Sequence, residues 1–298
     1  MKVFVSGASG LVGGNVLKHF KQQGIDVVGS YFSYAVEGCV YYNTLEPQHP
    51  DNFKLDEFAP TVIVHCGAMT HVDACETEVQ DSYNKTVQST INLLQLATKY
   101  NAKLVYIGTD YVFDGAAGPY LETDAVNPLS VYAKHKLEAE QLVLQHSKDN
   151  LVLRITNVYG DEVRNKNFVA RIIEQALNKQ AINLKLPADQ YATPVCAFDV
   201  ARAMLLLLQD GKSGVYHIAS TDWMNRVDLA LTVLKYFPNA QYNLQALHTA
   251  ELQQPAARPL RGGLHKIKFS EQYNTFRFTT VDEYVSAKVQ QLASENKV

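Results

Sequence analysis

The chain has 298 residues, 47% of them hydrophobic and 19% charged, with a mean hydropathy of −0.15, the balance of a folded globular protein and not of a disordered one. Lys+Arg 27 against Asp+Glu 30 leaves a net charge of −3 with no basic run, which argues against nucleic acid or an anionic membrane surface as partner. The longest aliphatic run, Ala203–Leu208, falls far short of the roughly 18 apolar residues of a bilayer span, and four cysteines without CxxC spacing, behind an N-terminus that lacks a signal-peptide pattern, predict a cytoplasmic protein.

Short β-branched runs alternate with segments of helical period through the first half, the pattern of βαβ units around a parallel sheet. The predicted strands are Lys2–Ser6, Asp26–Ser30, Val40–Tyr42, Thr61–His65, Lys103–Gly108 and Leu151–Ile155. Several are continuous apolar runs, as expected of strands covered on both faces. The first crossover helix is predicted over Leu11–Gln23, where Val12, Val16, Leu17 and Phe20 recur at helical spacing before the stop at Gly24. Longer helices follow at Val79–Tyr100, Val131–His146 and Ala197–Gln209. Beyond Leu151–Ile155 the pattern becomes mixed, with a helix near Asn167–Lys179 and strands near Ile182–Leu186 and Val215–Ile218. A last helix is opened by the capping box Thr280-Val281-Asp282-Glu283 and runs to about Ala293. The expected architecture is α/β: a Rossmann-type doubly wound parallel sheet with a smaller, discontinuous C-terminal substrate domain. Residues 1–156 and about 194–220 would form the dinucleotide part, and about 157–193 and 221–298 the substrate part.

Between the first strand and the first helix stands Gly7-Ala8-Ser9-Gly10-Leu11-Val12-Gly13. In a dinucleotide site the first glycine permits the tight turn, the middle one lets the pyrophosphate approach the backbone, and the last allows close helix–strand packing. The phosphates then meet the free N–H groups of the helix start. A competing phosphate loop at Gly211-Lys212-Ser213 fails, because Leu206 stands where its first glycine is needed. The second strand ends in Ser30-Tyr31-Phe32-Ser33, without the carboxylate that would bind a ribose 2′-hydroxyl and repel a 2′-phosphate. Ser30 and Ser33 could donate to that phosphate, so NADPH is the favoured cofactor, with NADH the alternative.

Tyr132 and Lys136 lie one helical turn apart on one face. The spacing predicts that the ammonium lowers a phenol pKa that starts near 10, poising Tyr132 for proton exchange while hydride moves to or from a nicotinamide. Thr109, at the carboxyl end of the fifth strand, could hydrogen-bond the same substrate oxygen. Tyr284 and Lys288 repeat the spacing on the terminal helix and are read as packing or surface residues. His65, Cys66, His71 and Cys75 are competent metal ligands, but their spacing matches no zinc module. They are read as strand and loop packing, so no metal site is assigned, and the sequence does not decide whether Mg2+ is bound.

Thr109-Asp110-Tyr111-Val112-Phe113-Asp114-Gly115 resembles a stretch typical of the dTDP-4-dehydrorhamnose reductase group of extended short-chain dehydrogenase/reductases. The glycine turn, Ala68-Met69-Thr70-His71-Val72-Asp73, the Tyr132/Lys136 pair and Arg258-Pro259 follow in matching order, so the resemblance covers nearly the whole chain. It implies Thr109, Tyr132 and Lys136 as the catalytic trio, with Lys136 also holding the nicotinamide ribose. Asn43 and Thr44 would lie near adenine, Cys66, Gly67 and Ala68 would line the cofactor, and Asp110, Tyr111 and Arg258 would face a nucleotide-sugar. Asn157 also belongs on the sugar side, where those reductases usually carry tryptophan. The implied activity is reduction of the 4-keto group of a nucleotide-linked deoxysugar, and a homodimer is compatible with it. The regulatory beta subunit of methionine adenosyltransferase resembles the same group, sharing features such as Val62-Ile63-Val64-His65-Cys66, and gives a non-catalytic alternative; a nucleotide-sugar epimerase is another.

Overall fold

The computed structural model describes residues 1–295. Its main sheet comprises β1 (Lys2–Ser6), β2 (Asp26–Tyr31), β3 (Cys39–Tyr41), β4 (Val62–His65), β5 (Lys103–Thr109) and β6 (Leu151–Ile155). After the short strands β7 (Ile182–Pro187) and β8 (Tyr191–Ala192), which lie outside it, β9 (Gly214–His217) completes it. The order is β3-β2-β1-β4-β5-β6-β9, and every pairing is parallel. The winding reverses between β1 and β4, and open α/β sheets bind ligands beyond the strand carboxyl ends at such a point.

Both faces of this sheet are buried, and the two-residue strand period sorts the side chains between them. Val3, Val5, Val62, Val64, Val105, Ile107, Leu151 and Leu153 pack with Val16 and Phe20 of the first helix (Leu11–Gln22) and with Val200, Met204 and Leu208 of the helix Ala197–Gln209. Their neighbours Phe4, Ile63, Leu104, Tyr106 and Val152 point the other way. They meet Leu93 and Ala97, and Ala139 and Val143 of the helix Val131–His146. The apolar strands read in the sequence are thus buried on two sides, and the predicted α/β sheet is the one observed.

The helix predicted over Val79–Tyr100 is less regular than its periodicity suggests. Val79–Tyr83 and Ser89–Tyr100 are α-helical, but Asn84–Gln88 forms a π-turn between them. Such a turn inserts an extra residue, which resets which side chains face the sheet. Here it lets the Ser89 hydroxyl reach His65 Nε2 at 3.3 Å.

A second core forms around Ile172, Ile182, Leu186, Leu229, Val233, Val281 and Val285. It joins the helices Phe168–Leu177, Arg226–Leu234 and Val281–Ser294, the last with the Thr280/Glu283 capping box in place. Beside them, β8 pairs antiparallel with β10 (Met224–Asn225), and β7 pairs parallel with β11 (Tyr242–Leu247). The sequence reading does not predict β11 or the helix Arg226–Leu234. β11 is largely exposed, so its pattern carries little burial signal. Phe269 and Phe278, late in the chain, pack into the core of the main sheet. Among the described residues, no helix is long and apolar enough to cross a membrane.

Candidate functional site

At the switch point the β1 turn and the β4 turn touch. Gly7 has φ +77°, and a Cβ there would lie 2.9 Å from the Gly67 amide nitrogen. A Cβ on Gly13 would meet the Gly7 carbonyl oxygen at 2.4 Å. Both glycines are therefore required by contact, Gly7 also by its left-handed backbone. Gly10 caps the first helix without a side chain, and no acidic residue lies in the first turn. The positive end of that helix is left uncompensated, which suits a pyrophosphate.

This turn forms one end of a cleft of about 750 Å³, large enough for a cofactor-sized molecule. Gly7, Gly10, Leu11, Val12, Gly13, Tyr31, Ser33, Asn43, Thr44, Cys66, Gly67 and Ala68 all line it. So do Thr109, Asp110, Tyr111, Tyr132, Lys136 and Asn157. Segments more than a hundred residues apart therefore meet in one cavity, and the cofactor candidates share it with the candidate catalytic trio Thr109, Tyr132 and Lys136. Arg258 is the exception. It donates from Nη1 to Asp73 Oδ1 at 2.9 Å and from Nη2 to Oδ2 at 2.8 Å, a bidentate pair beside Tyr111 that does not line the cleft.

The chemistry of the trio departs from the expectation in one respect. Burial pushes the Tyr132 phenol above its usual range, and a contact with the Thr109 hydroxyl offsets this only in part. Lys136 does not lower it. Its Nζ instead donates to the Ile107 carbonyl at 2.6 Å and lies 4.2 Å from the centre of the Tyr106 ring. Burial brings the lysine itself down to about 7, against the opposing charge of Glu140. One helical turn places two side chains on a common face without making them partners. A phenol held above 10 is protonated at neutral pH and is a proton donor.

Thr109 accepts the Tyr111 amide at 3.2 Å, fixing the bend where β5 ends. Asp110 is buried and its carboxyl is raised by burial; its Oδ2 accepts the Gly263 amide at 3.0 Å. The Tyr111 and Tyr132 rings meet edge to face at 5.7 Å. Asn157 has φ +40°, a left-handed backbone that asparagine tolerates better than most residues. That is a local reason for its presence where tryptophan is usual. Its Oδ1 accepts from Arg226 Nη2 at 2.8 Å. Arg226 bears electrostatically on Asp110 and Tyr111 and was not singled out in the sequence, because only the fold brings it there.

Behind the trio, Arg154 binds Glu140 through Nη2 at 2.5 Å and Nε at 3.1 Å. Its Nη1 approaches His217 Nε2 at 3.3 Å, while His217 Nδ1 lies 3.1 Å from the Tyr120 carbonyl. Because the Tyr120 carbonyl can only accept a hydrogen bond, Nδ1 carries the hydrogen and donates to it, which leaves Nε2 free to accept from Arg154. The remaining motifs are structural. His65 is wedged between Ser6 and Ser89, and Cys75 is buried. Tyr284 and Lys288 both reach Asp161, each at 2.9 Å. Among the described residues, no group of three or more His, Cys, Asp or Glu side chains is placed to hold a metal.

The model of the RmlD substrate binding domain matches residues 1–293. The chain is 30% identical over 261 residues to methionine adenosyltransferase 2 subunit beta of Danio rerio, covering 86% of this chain and 78% of that protein. It is also 30% identical over 232 residues to a dTDP-4-dehydrorhamnose reductase of Aggregatibacter actinomycetemcomitans, covering 74% and 77%. Among solved structures, a dTDP-4-dehydrorhamnose reductase from Clostridium acetobutylicum superposes with a TM-score of 0.80 at 27% identity, over 99% of this chain and 100% of that one. The match to the family model along almost the entire chain, with the glycine turn, the start of the TDYVFDG stretch and the Tyr132/Lys136 pair lining one cleft at the carboxyl edge of a parallel sheet, shows that this protein belongs to the RmlD substrate binding domain family, within the dTDP-4-dehydrorhamnose reductase group of extended short-chain dehydrogenase/reductases.

Proposed function

We propose that this NAD(P)-dependent oxidoreductase uses NADPH to reduce the 4-keto group of a nucleotide-linked deoxysugar, with dTDP-4-dehydrorhamnose as substrate. The observation that carries the reading is the single cleft shared by the glycine turn and by Thr109, Tyr132 and Lys136. The bound nicotinamide supplies hydride to the carbonyl carbon. Tyr132, protonated at neutral pH, gives its phenolic proton to the oxygen as negative charge develops there. Thr109 donates a hydrogen bond to the same oxygen, and Lys136 holds the nicotinamide ribose. The glycine turn takes the pyrophosphate, Tyr31, Ser33, Asn43 and Thr44 surround the adenosine, and Cys66, Gly67 and Ala68 back the cofactor. Asp110, Tyr111 and Asn157 form the sugar side, with Arg226 and Arg258 supplying positive charge near Tyr111. In this reading residues 1–156 and about 194–220 carry most of the cofactor site, and about 157–193 and 221–298 complete the cleft on the sugar side.

The relation to methionine adenosyltransferase 2 subunit beta favours a second reading, a dinucleotide-binding partner of an adenosyltransferase. One experiment separates the two: oxidation of NADPH and of NADH followed with dTDP-4-dehydro-6-deoxy-L-mannose, for the natural chain and for Tyr132→Phe. The reductase reading expects turnover that falls by about 10²–10⁴-fold in the variant with cofactor affinity kept. Cofactor binding without oxidation, together with a stable complex with an adenosyltransferase, would establish the second reading instead.

A further inference from the structure

We infer that Arg164 binds the adenosine 2′-phosphate of the dinucleotide and makes this chain prefer NADPH to NADH, an inference that rests on the nicotinamide reading above. The end of β2 is where such discrimination is usually made, and there Ser30-Tyr31-Phe32-Ser33 carries no charge of either sign. Arg164 comes from the loop after β6, yet it lines the same cleft as Tyr31, Phe32 and Ser33. Its guanidinium carbon stands 5.0 Å from the centre of the Tyr34 ring. The cation is thereby held beside the chain that follows β2 by an aromatic face, which orients it without neutralising it.

Its hydrogen-bonding capacity is unspent. The Arg164 Nε is buried with no hydrogen-bond partner, and no ion pair among the described residues involves this arginine. Glu162, the nearest acid on the loop, engages the Asn167 amide at 2.7 Å. A buried donor left unmade is costly, and a planar guanidinium fork matches the oxygens of a phosphate monoester. The loop that carries it is fixed at both ends. The Asp161 carbonyl accepts from Asn15 Nδ2 at 2.9 Å, and the Asn167 side chain donates to the Gly160 carbonyl at 2.9 Å and accepts from the Ala170 amide at 3.0 Å. Arg164 is thus presented to the cleft before any ligand arrives.

Calorimetric titration of the whole chain with NADPH, NADH, 2′,5′-ADP and 5′-AMP tests this, using the natural chain, Arg164→Ala and Arg164→Lys. The expected result is that the natural chain binds NADPH and 2′,5′-ADP at least about tenfold tighter than NADH and 5′-AMP. Arg164→Ala should then lose about 10- to 100-fold for the two 2′-phosphorylated ligands, keep NADH within about twofold, and retain its circular dichroism spectrum. Arg164→Lys should fall between. Equal losses for NADPH and NADH would assign Arg164 to the pyrophosphate and overturn the inference, as would unchanged affinities. Binding of neither dinucleotide by the natural chain would remove the nicotinamide reading itself, whereas NADH binding without a 2′-phosphate preference would remove only the role of Arg164.

Discussion

Replacing Glu140 by glutamine would test how the floor of the cleft is held. Glu140 and Arg154 are 2% and 6% exposed in their side chains, and two hydrogen bonds at 2.5 and 3.1 Å join them. Arg154 also rests 5.2 Å from the centre of the Phe113 ring and faces the neutral His217. Glutamine keeps the shape but removes the charge, and its amide group would meet the guanidinium as a second donor. Breaking one partner of a buried pair costs about 3–5 kcal/mol, because the other charge stays buried and uncompensated. At about 2 °C per kcal/mol for a chain of this size, the melting temperature should drop by roughly 6–10 °C. Calorimetric melting of Glu140→Gln, Arg154→Met and the double variant Glu140→Leu with Arg154→Met measures it. The double variant should recover much of the single losses, since an apolar pair carries no desolvated charge. Single losses below about 1 kcal/mol, additive in the double, would refute the reasoning.

Other outcomes follow from the same contacts. In Gly13→Ala the new methyl would lie 2.4 Å from the Gly7 carbonyl oxygen, so the first helix must move. Overpacking of that kind costs about 1–3 kcal/mol and should weaken dinucleotide binding in titration; an unchanged affinity and melting point would contradict the close approach. His65 and His217 are each pushed down to about 3, chiefly by burial, with Lys136 and Arg154 adding to it; their ordinary value is about 6.5. Between about pH 6.5 and 3 the unfolded chain therefore binds more protons than the folded one. Stability from these groups is complete above about pH 6.5 and declines as pH falls through that window. His19 and His135, also lowered by burial, act in the same direction. Urea unfolding at pH 7, 6 and 5 should show the decline, and a flat profile would mean that the histidines are not buried in neutral form.

What could be read from the sequence followed the strength of the burial signal. β1, β4, β5 and β6 are apolar on both faces, and their predicted positions differ from those observed by a residue at most. The glycine turn was legible because its spacing and its place after a strand are both local. β11, mostly solvent-facing, and the π-turn at Asn84–Gln88 left no comparable periodicity. At the site, Thr109 is legible from its place at a strand end, whereas Cys66, Gly67, Ala68, Asp110 and Tyr111 enter through the family resemblance, and the fold brings them all to one cleft. Arg226 and Arg164 are legible in neither way, because each reaches the cleft region from a segment whose own sequence says nothing of its neighbours. The Tyr132 pKa runs opposite to the direction its spacing predicts, for a related reason. Spacing reports which groups share a helix face, while desolvation depends on what the other elements lay over them.

Asp161 ties together parts of the chain that meet nowhere in the sheet. Its carbonyl takes the Asn15 amide from the first helix, and its carboxylate takes Tyr284 and Lys288 from the helix Val281–Ser294. The wall of the cleft formed by residues 161–167 is thus fastened as by a clasp, one side on the helix that opens the fold and the other on the helix that closes it. The seven parallel strands do not bear on that clasp directly. Damage to the terminal helix, at the opposite end of the chain from the glycine turn, would leave the sheet's own hydrogen-bonded ladder intact while releasing a boundary of the cavity. Loss of binding would then come before loss of fold, and a chain shortened at that helix would be expected to fail first as a receptor for its ligands.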